Sequence, residues 1–177
     1  MPTLSDDVVR LVPLTPAHEP ALAMLIDDDE VRRYTRVPTK PADDFVTTWL
    51  RTYVEGGREG TRAGFAIESH AGEFLGIGLF VRIEREGRQG EIGYIVGPEA
   101  RGRGVATRAV RLLTEWGFAE LALERIELWI DASNGASEGV AARAGYRREG
   151  VLRSVWFKED LRSDFGVWSR LRSEAGV

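Results

Sequence analysis

The chain has 177 residues, is 43% hydrophobic and carries a formal charge of −4. That suits one sizeable core and a single domain over 1–177, and it disfavours nucleic acid as a partner, because phosphate-binding surfaces are usually basic. With no cysteine and two histidines, His18 and His70, the chain excludes disulfides, thiolate nucleophiles and clustered Cys/His metal sites.

The first residues, "MPTLSDDVVR", show no signal-peptide pattern, and no apolar run approaches the roughly 18 residues that span a membrane. A cytoplasmic protein with no membrane partner is expected. A strand is expected over 8–14, followed by a helix from Thr15-Pro16 to about Ile26. A second short helix is expected in "DDDEVRRYT". The helical spacing of Phe45, Val46, Trp49, Leu50, Tyr53 and Val54 predicts a third, stopped by Gly56-Gly57. Strands 63–69, 74–84 and 89–96 follow, joined by the hairpin-like turns "HAGE" and "EREGRQG". Beyond them come a glycine turn, a helix over about 104–121, a strand over 125–131 and a helix over about 135–144. A final strand pair is expected over 146–157 and 165–172, with "KEDLRSD" between them as a loop. The pattern is a mixed α/β (α+β) fold, an antiparallel meander feeding a β-α-β-α-β half.

The glycine turn, "GPEARGRGVATRA", asks for a ligand. N–H groups at a helix start have no intrahelical partner, and the helix dipole makes that end positive, so a phosphate is a natural guest. Gly102 and Gly104 permit a tight turn and close approach, while Arg101, Arg103 and Arg108 could add charge at the rim. An ordinary strand-to-helix turn with solvated arginines is the plainer alternative. The P-loop lysine is missing, and Thr107 stands where a dinucleotide fingerprint needs its third glycine.

These residues resemble the GNAT superfamily of acyl-CoA N-acyltransferases. Its signature, Gln/Arg-x-x-Gly-x-Gly/Ala after a bulged strand, is matched by Arg101-Gly102-Arg103-Gly104-Val105-Ala106. "NGASEGVAARAGY" is similar to the family's second half, in which Asn-x-x-Ser/Ala opens a helix ending in Gly-Phe/Tyr. The resemblance is closest to the RimJ/RimL-like subgroup that acetylates ribosomal-protein N-termini. It implies a single mixed, mostly antiparallel sheet of about seven strands flanked by about four helices. It implies acetyl-CoA as cosubstrate and no metal, with the diphosphate on the amides of Gly102, Arg103, Gly104, Val105, Ala106 and Thr107 beside Arg101. The backbone of Tyr94, Ile95 and Val96 would pair with the pantetheine, and a backbone N–H near Ile95 or Val96 would serve the oxyanion. Asn134 would contact the pantetheine, and Ser137 would lie near the sulfur and protonate the leaving thiolate. The default acceptor is a protein N-terminal amine.

Acyl transfer to an amine needs a base, an oxyanion donor and an acid, but no covalent enzyme intermediate. Ser137 is the candidate acid; completing a helix start capped by Asn134 is its alternative role. Glu91, at the start of "EIGYIV", is the first candidate base. Glu127 and Asp131 read as exposed strand residues, and His18 and His70 as peripheral. A relay through water is open as well. The RimI-like branch of the family carries a Tyr and a Glu where this chain has Ala141 and Trp129, and the Glu of the RimL-like branch falls near Trp156. Neither acid–base set transfers. Tyr34, Trp156, Trp49 and Trp168 could wall an acceptor pocket, although Trp49 suits the core, and the acidic residues 27–30 could attract a cationic amine. Other readings are a small-molecule amine acetyltransferase or succinyltransferase, a non-catalytic acyl-CoA sensor, and a nucleotide-binding regulatory domain. The C-terminal strands could pair across a homodimer.

Overall fold

Short runs in which every second residue is apolar make half-buried strands, and here they all join one sheet. The strands are β1 (Leu4–Ser5), β2 (Val9–Pro13), β3 (Ala63–Ser69), β4 (Phe74–Glu84), β5 (Gln89–Val96), β6 (Arg125–Asp131), β7 (Arg147–Lys158) and β8 (Leu161–Leu171). Their order is β1-β2-β3-β4-β5-β6-β8-β7 in the computed structural model, which describes residues 1–176. Every neighbouring pair is antiparallel except β5–β6, which is parallel. Five α-helices accompany them: α1 (Glu19–Ile26), α2 (Asp29–Tyr34), α3 (Phe45–Glu59), α4 (Val105–Ala119) and α5 (Gly135–Arg143). The expected mixed, mostly antiparallel sheet is present, with eight strands and five helices in place of seven and four. The additional strand, β1, is two residues long, too short for alternation to reveal. It is turned onto β2 by Asp6, whose Oδ1 accepts the N–H groups of Val8 and Val9 at 2.8 Å each.

Helices α4 and α5 bury one face of the sheet, where Phe65, Phe80, Ile92, Ile126 and Leu128 meet Val110, Leu113, Trp116 and Ala141. On the other face, Leu22, Leu25, Val46, Leu50 and Tyr53 of α1 and α3 pack on Ala66, Ile77 and Leu79. That second core contains no residue of β6 or β8. Among the described residues no helix is long and apolar enough to cross a membrane.

Several boundaries differ from expectation for local physical reasons. Helix α3 runs through Gly56-Gly57 and ends at Gly60, whose φ of 73° is the left-handed stop. Gly56 is needed inside the helix because a Cβ there would lie 2.8 Å from Arg62 Cβ. Residues 16–18 form a 3-10 turn, and Pro20 falls in the first turn of α1, where no donor is required. The charged stretch after Phe157 is largely strand: only Glu159 and Asp160 make the turn, with φ of 48° and 66°. Exposed hairpin strands accept charged side chains freely, so charge alone did not mark a loop. Strand β7 is the outer edge and leaves Val151, Leu152 and Val155 exposed.

Two irregularities break the regular ladder around β5. Strand β4 carries an extra residue, Val81, opposite the Glu91–Ile92 step, and this bulge turns Arg82 toward Glu91. Strands β5 and β6 pair only at Gln89↔Arg125, Gly90↔Ile126 and Glu91↔Glu127, and they diverge beyond.

Across β6 and β7, Arg125 holds Glu149 through two 2.7 Å hydrogen bonds, and Ser169 donates to the same carboxylate at 2.5 Å. Arg125, aided by Ser169, lowers the Glu149 carboxyl to about 2. A depressed carboxyl stabilises the fold above its unfolded pKa, and that contribution disappears as pH falls toward the folded value. Because Glu149 is 45% exposed, screening limits the pair to about 1 kcal/mol. Glu149→Gln should therefore lower the melting temperature by about 2–4 °C at pH 7 and leave it unchanged at pH 2, by calorimetry at both values.

Candidate active site

The divergence of β5 from β6 opens a cleft of about 570 Å³ between the end of β5, the start of α4 and the start of α5. Gly104 caps α4 with φ of 78°, Gly102 precedes it with φ of 72°, and a Cβ on either would meet nothing within 4 Å. Both glycines are thus required by backbone conformation and face open space. The first N–H groups of α4, those of Val105, Ala106 and Thr107, have no turn before them to bond with. Val105 and Thr107 are buried, which anchors the turn while its backbone stays turned outward.

The arginines of this segment are committed elsewhere. Arg101 donates to Asp28 Oδ1 at 2.5 Å and to the Val96 carbonyl at 3.2 Å, and pairs with Glu30 at 2.7 Å, which ties the turn to α2 and β5. Arg108 pairs with Asp6 at 2.9 Å and Asp7 at 2.5 Å. Arg103 reaches the Glu99 carbonyl at 3.3 Å, is exposed and does not line the cleft. Of the expected rim of arginines only Arg101 lines the cleft, and there it is held by Asp28 and Glu30; a second cation that sequence reasoning missed, Arg143 at the end of α5, lines it without an acidic partner among the described residues. Its only sequence signal was its place in the last turn of the helix that Asn134 opens.

Tyr94, Ile95, Val96, Asn134 and Ser137 all line the same cleft. Asn134 caps α5 by accepting the Ser137 N–H at 3.0 Å, which leaves the Ser137 hydroxyl uncommitted to the cap. Strand alternation sends Tyr94 to the α5 side, where its hydroxyl is buried without a hydrogen-bond partner. Burial pushes this phenol up to about 12, with the neighbouring Ser137 hydroxyl opposing the shift. A neutral O–H donor therefore stands beside Ser137.

Glu91 shares the opposite face with Ile95, the face packed by α1 and α3. Burial raises its carboxyl, Arg82 opposes, Glu127 raises it further and Arg36 opposes. Arg82 lies 3.9 Å from Glu91 and 3.6 Å from Glu127. Glu127 was expected to be exposed, yet only 12% of its side chain is accessible, because Arg125 Nε (2.8 Å) and Trp129 Nε1 (3.0 Å) both donate to it. Asp131 accepts from Ser133 in the turn before α5, and His18 and His70 bond to Thr15 and Asp6, away from the cleft.

The two acceptor candidates are not together. Tyr34 lines the 570 Å³ cleft, whereas Trp156 lines a second cavity of about 440 Å³ with Arg36, Phe157 and Lys158. Trp49 packs on Tyr53, with ring centroids 4.5 Å apart, as part of the second core. Trp168 packs against the first core. Among the described residues no group of His, Cys, Asp or Glu is placed to hold a metal ion.

Residues 9–147 match the acetyltransferase (GNAT) domain family. The chain is 27% identical over 169 residues to the uncharacterized N-acetyltransferase YoaA of Bacillus subtilis, covering 95% of this chain and 96% of that protein. A stretch of 93 residues is 34% identical to the spermidine N(1)-acetyltransferase of Escherichia coli, covering 52% of this chain and 50% of that enzyme. Among solved structures, RimL, a ribosomal L7/L12 alpha-N-protein acetyltransferase in complex with coenzyme A, superimposes with a TM-score of 0.88 at 17% identity. That match covers 98% of this chain and 99% of the other, a likeness of fold.

Proposed function

The chain belongs to the acetyltransferase (GNAT) domain family, and on that premise we propose that it is a single-domain cytoplasmic enzyme transferring acetyl from acetyl-CoA to a protein N-terminal amine. The diphosphate binds the outward N–H groups of the 102–107 turn, with Arg143 adding charge in the same cleft. The pantetheine follows the free edge of β5 along residues 93–96 and carries the thioester into the gap beside β6. The observation that carries this reading is that gap: two strands that part where a glycine-capped helix begins.

The amine approaches from the face bearing Glu91, which takes its proton directly or through one water. The nitrogen then bonds to the acetyl carbon, and the oxyanion is held by the Ile95 or Val96 N–H. The C–S bond breaks, its electrons pass to sulfur, and the Ser137 hydroxyl passes its proton to the thiolate and regains one from the amide nitrogen, while the Tyr94 O–H steadies the sulfur. The acceptor could instead be a small amine, a reading that the similarity to a spermidine acetyltransferase favours. The open edge of β7 is the surface a second copy would use to form a homodimer.

The first test is calorimetric titration with acetyl-CoA, coenzyme A, succinyl-CoA, ATP and NAD, followed by thiol release with amines. Selective binding of the coenzyme A series with thiol release is expected. Binding of ATP or NAD alone would overturn the reading, and acetyl-CoA binding without turnover would indicate a sensor. Ser137→Ala should lower kcat by about 100-fold with little change in acetyl-CoA affinity. The helix cap uses the Ser137 backbone N–H, so this variant keeps it. An unchanged kcat would remove Ser137 from the proton path.

A further inference from the structure

Resting on the acetyl-transfer reading above, we propose that the acceptor amine also carries a carboxylate, which Arg36 binds from the face of Trp156. The Arg36 guanidinium lies 4.3 Å from the centroid of Trp156, which is itself stacked on Phe165 at 4.6 Å and 17°. Stacking engages the flat face of a guanidinium and leaves its in-plane N–H groups free to grip a carboxylate in bidentate fashion. Among the described residues Arg36 forms no ion pair and no side-chain hydrogen bond, although it lines a cavity of about 440 Å³.

The surrounding acids are already engaged. Glu159 accepts the Thr39 N–H at 2.8 Å and also the Thr39 hydroxyl, Asp27 pairs with Arg32, and Glu91 lies against Arg82. Lys158, on the same cavity, donates to the carbonyls of Arg32 and Thr35, the latter at 3.1 Å; burial lowers its pKa and Glu159 opposes the shift. The described residues lining the cavity include two basic side chains, Arg36 and Lys158, and no acid, and of these two Arg36 is the one without a hydrogen-bond partner. The cavity also adjoins the acetyl-transfer cleft: Tyr34 and Thr35 line the cleft and Arg36, the next residue, lines the cavity. An acceptor bound across this junction would place its amine in the cleft and its anion on Arg36. A polyamine would bring a positive charge against Arg36 and Lys158 instead.

Thiol release from acetyl-CoA should be measured with matched acceptors: alanine against alaninamide, an Ala-Glu peptide against its Ala-Gln counterpart, and spermidine. At least one carboxylate-bearing member should exceed its neutral partner by about tenfold in kcat/KM, the size of one charge-assisted hydrogen bond. The pair that shows the preference identifies its source, a free amino acid or an acidic N-terminal peptide. In Arg36→Gln that preference should collapse to within about twofold, and Arg36→Lys should recover part of it. Equal rates within both pairs, a preference for spermidine, or a carboxylate preference surviving in folded Arg36→Gln would overturn the proposal. So would a protein that binds acetyl-CoA and acetylates none of these acceptors. Failure to bind acetyl-CoA at all would instead overturn the acetyl-transfer reading, and this proposal with it.

Discussion

Gly104→Val is expected to weaken acetyl-CoA binding by at least about 100-fold. The residue sits at φ of 78° with open space where its Cβ would be, so a branched side chain would project into the volume assigned to the diphosphate. Hydrogen bonds to a charged group are worth roughly 1.5–3 kcal/mol each, so losing two gives a factor of about 100 or more. The substitution also forces valine into a left-handed conformation at a cost of about 1–2 kcal/mol. Gly72 in the β3–β4 turn separates these effects, because its φ is 85° and its Cβ would likewise meet nothing within 4 Å. Gly72→Val should show a comparable drop in melting temperature with unaltered acetyl-CoA affinity. If Gly104→Val folds and binds like the wild type, the turn does not hold the diphosphate.

Glu91→Gln is expected to reduce kcat by about 100- to 1000-fold near neutral pH, with acetyl-CoA affinity preserved. The amide is isosteric, and Arg82 keeps Glu127 as a partner at 3.6 Å, so the fold should survive. The pH profile is the sharper test. The base works only when ionised, and burial raises its carboxyl above the ordinary range, so the wild-type rate should decline as pH falls through that raised value. The decline should vanish in Glu91→Gln. In Glu127→Gln it should shift to lower pH, because removing a neighbouring negative charge makes Glu91 easier to ionise. A profile unaffected by either substitution would leave proton removal to water or to the acceptor itself.

The parts of the structure legible in the sequence are those that depend on neighbours in the chain. The buried Ile126, Leu128 and Ile130 announce β6 by alternation, Asn134 announces α5 by its cap, and the glycines announce the turn before α4. What stayed hidden depends on partners far along the chain. Arg101 and Arg108 looked like rim cations, but Asp28 and Asp6, 73 and 102 residues away, engage them. The apposition of Arg82 and Glu91 follows from a bulge at Val81 that no residue type advertises. Trp156 meets Arg36 because Lys158 and Glu159 fasten the β7–β8 tip to residues 32–39. Glu127 looked solvated because one of its partners, Arg82, lies 45 positions earlier and reaches it across the bulge.

The three residue pairs joining β5 to β6 are also, apart from the two-residue strand β1, the narrowest lateral joint in the sheet. On one side lie β1 to β5 with α4 packed on them, on the other β6 to β8 with α5 packed on β6 and β7, and the contact between α4 and α5 bridges the two. A joint that short predicts a seam in the free protein, with the C-terminal strands exchanging their amide hydrogens at rates different from those of β1 to β5. A cosubstrate lying along β5 and pressed against β6 would act as the missing rung. Its binding energy would then be spent partly on making two cooperative units into one, so that occupancy of the cleft is felt as slowed exchange in strands it never touches.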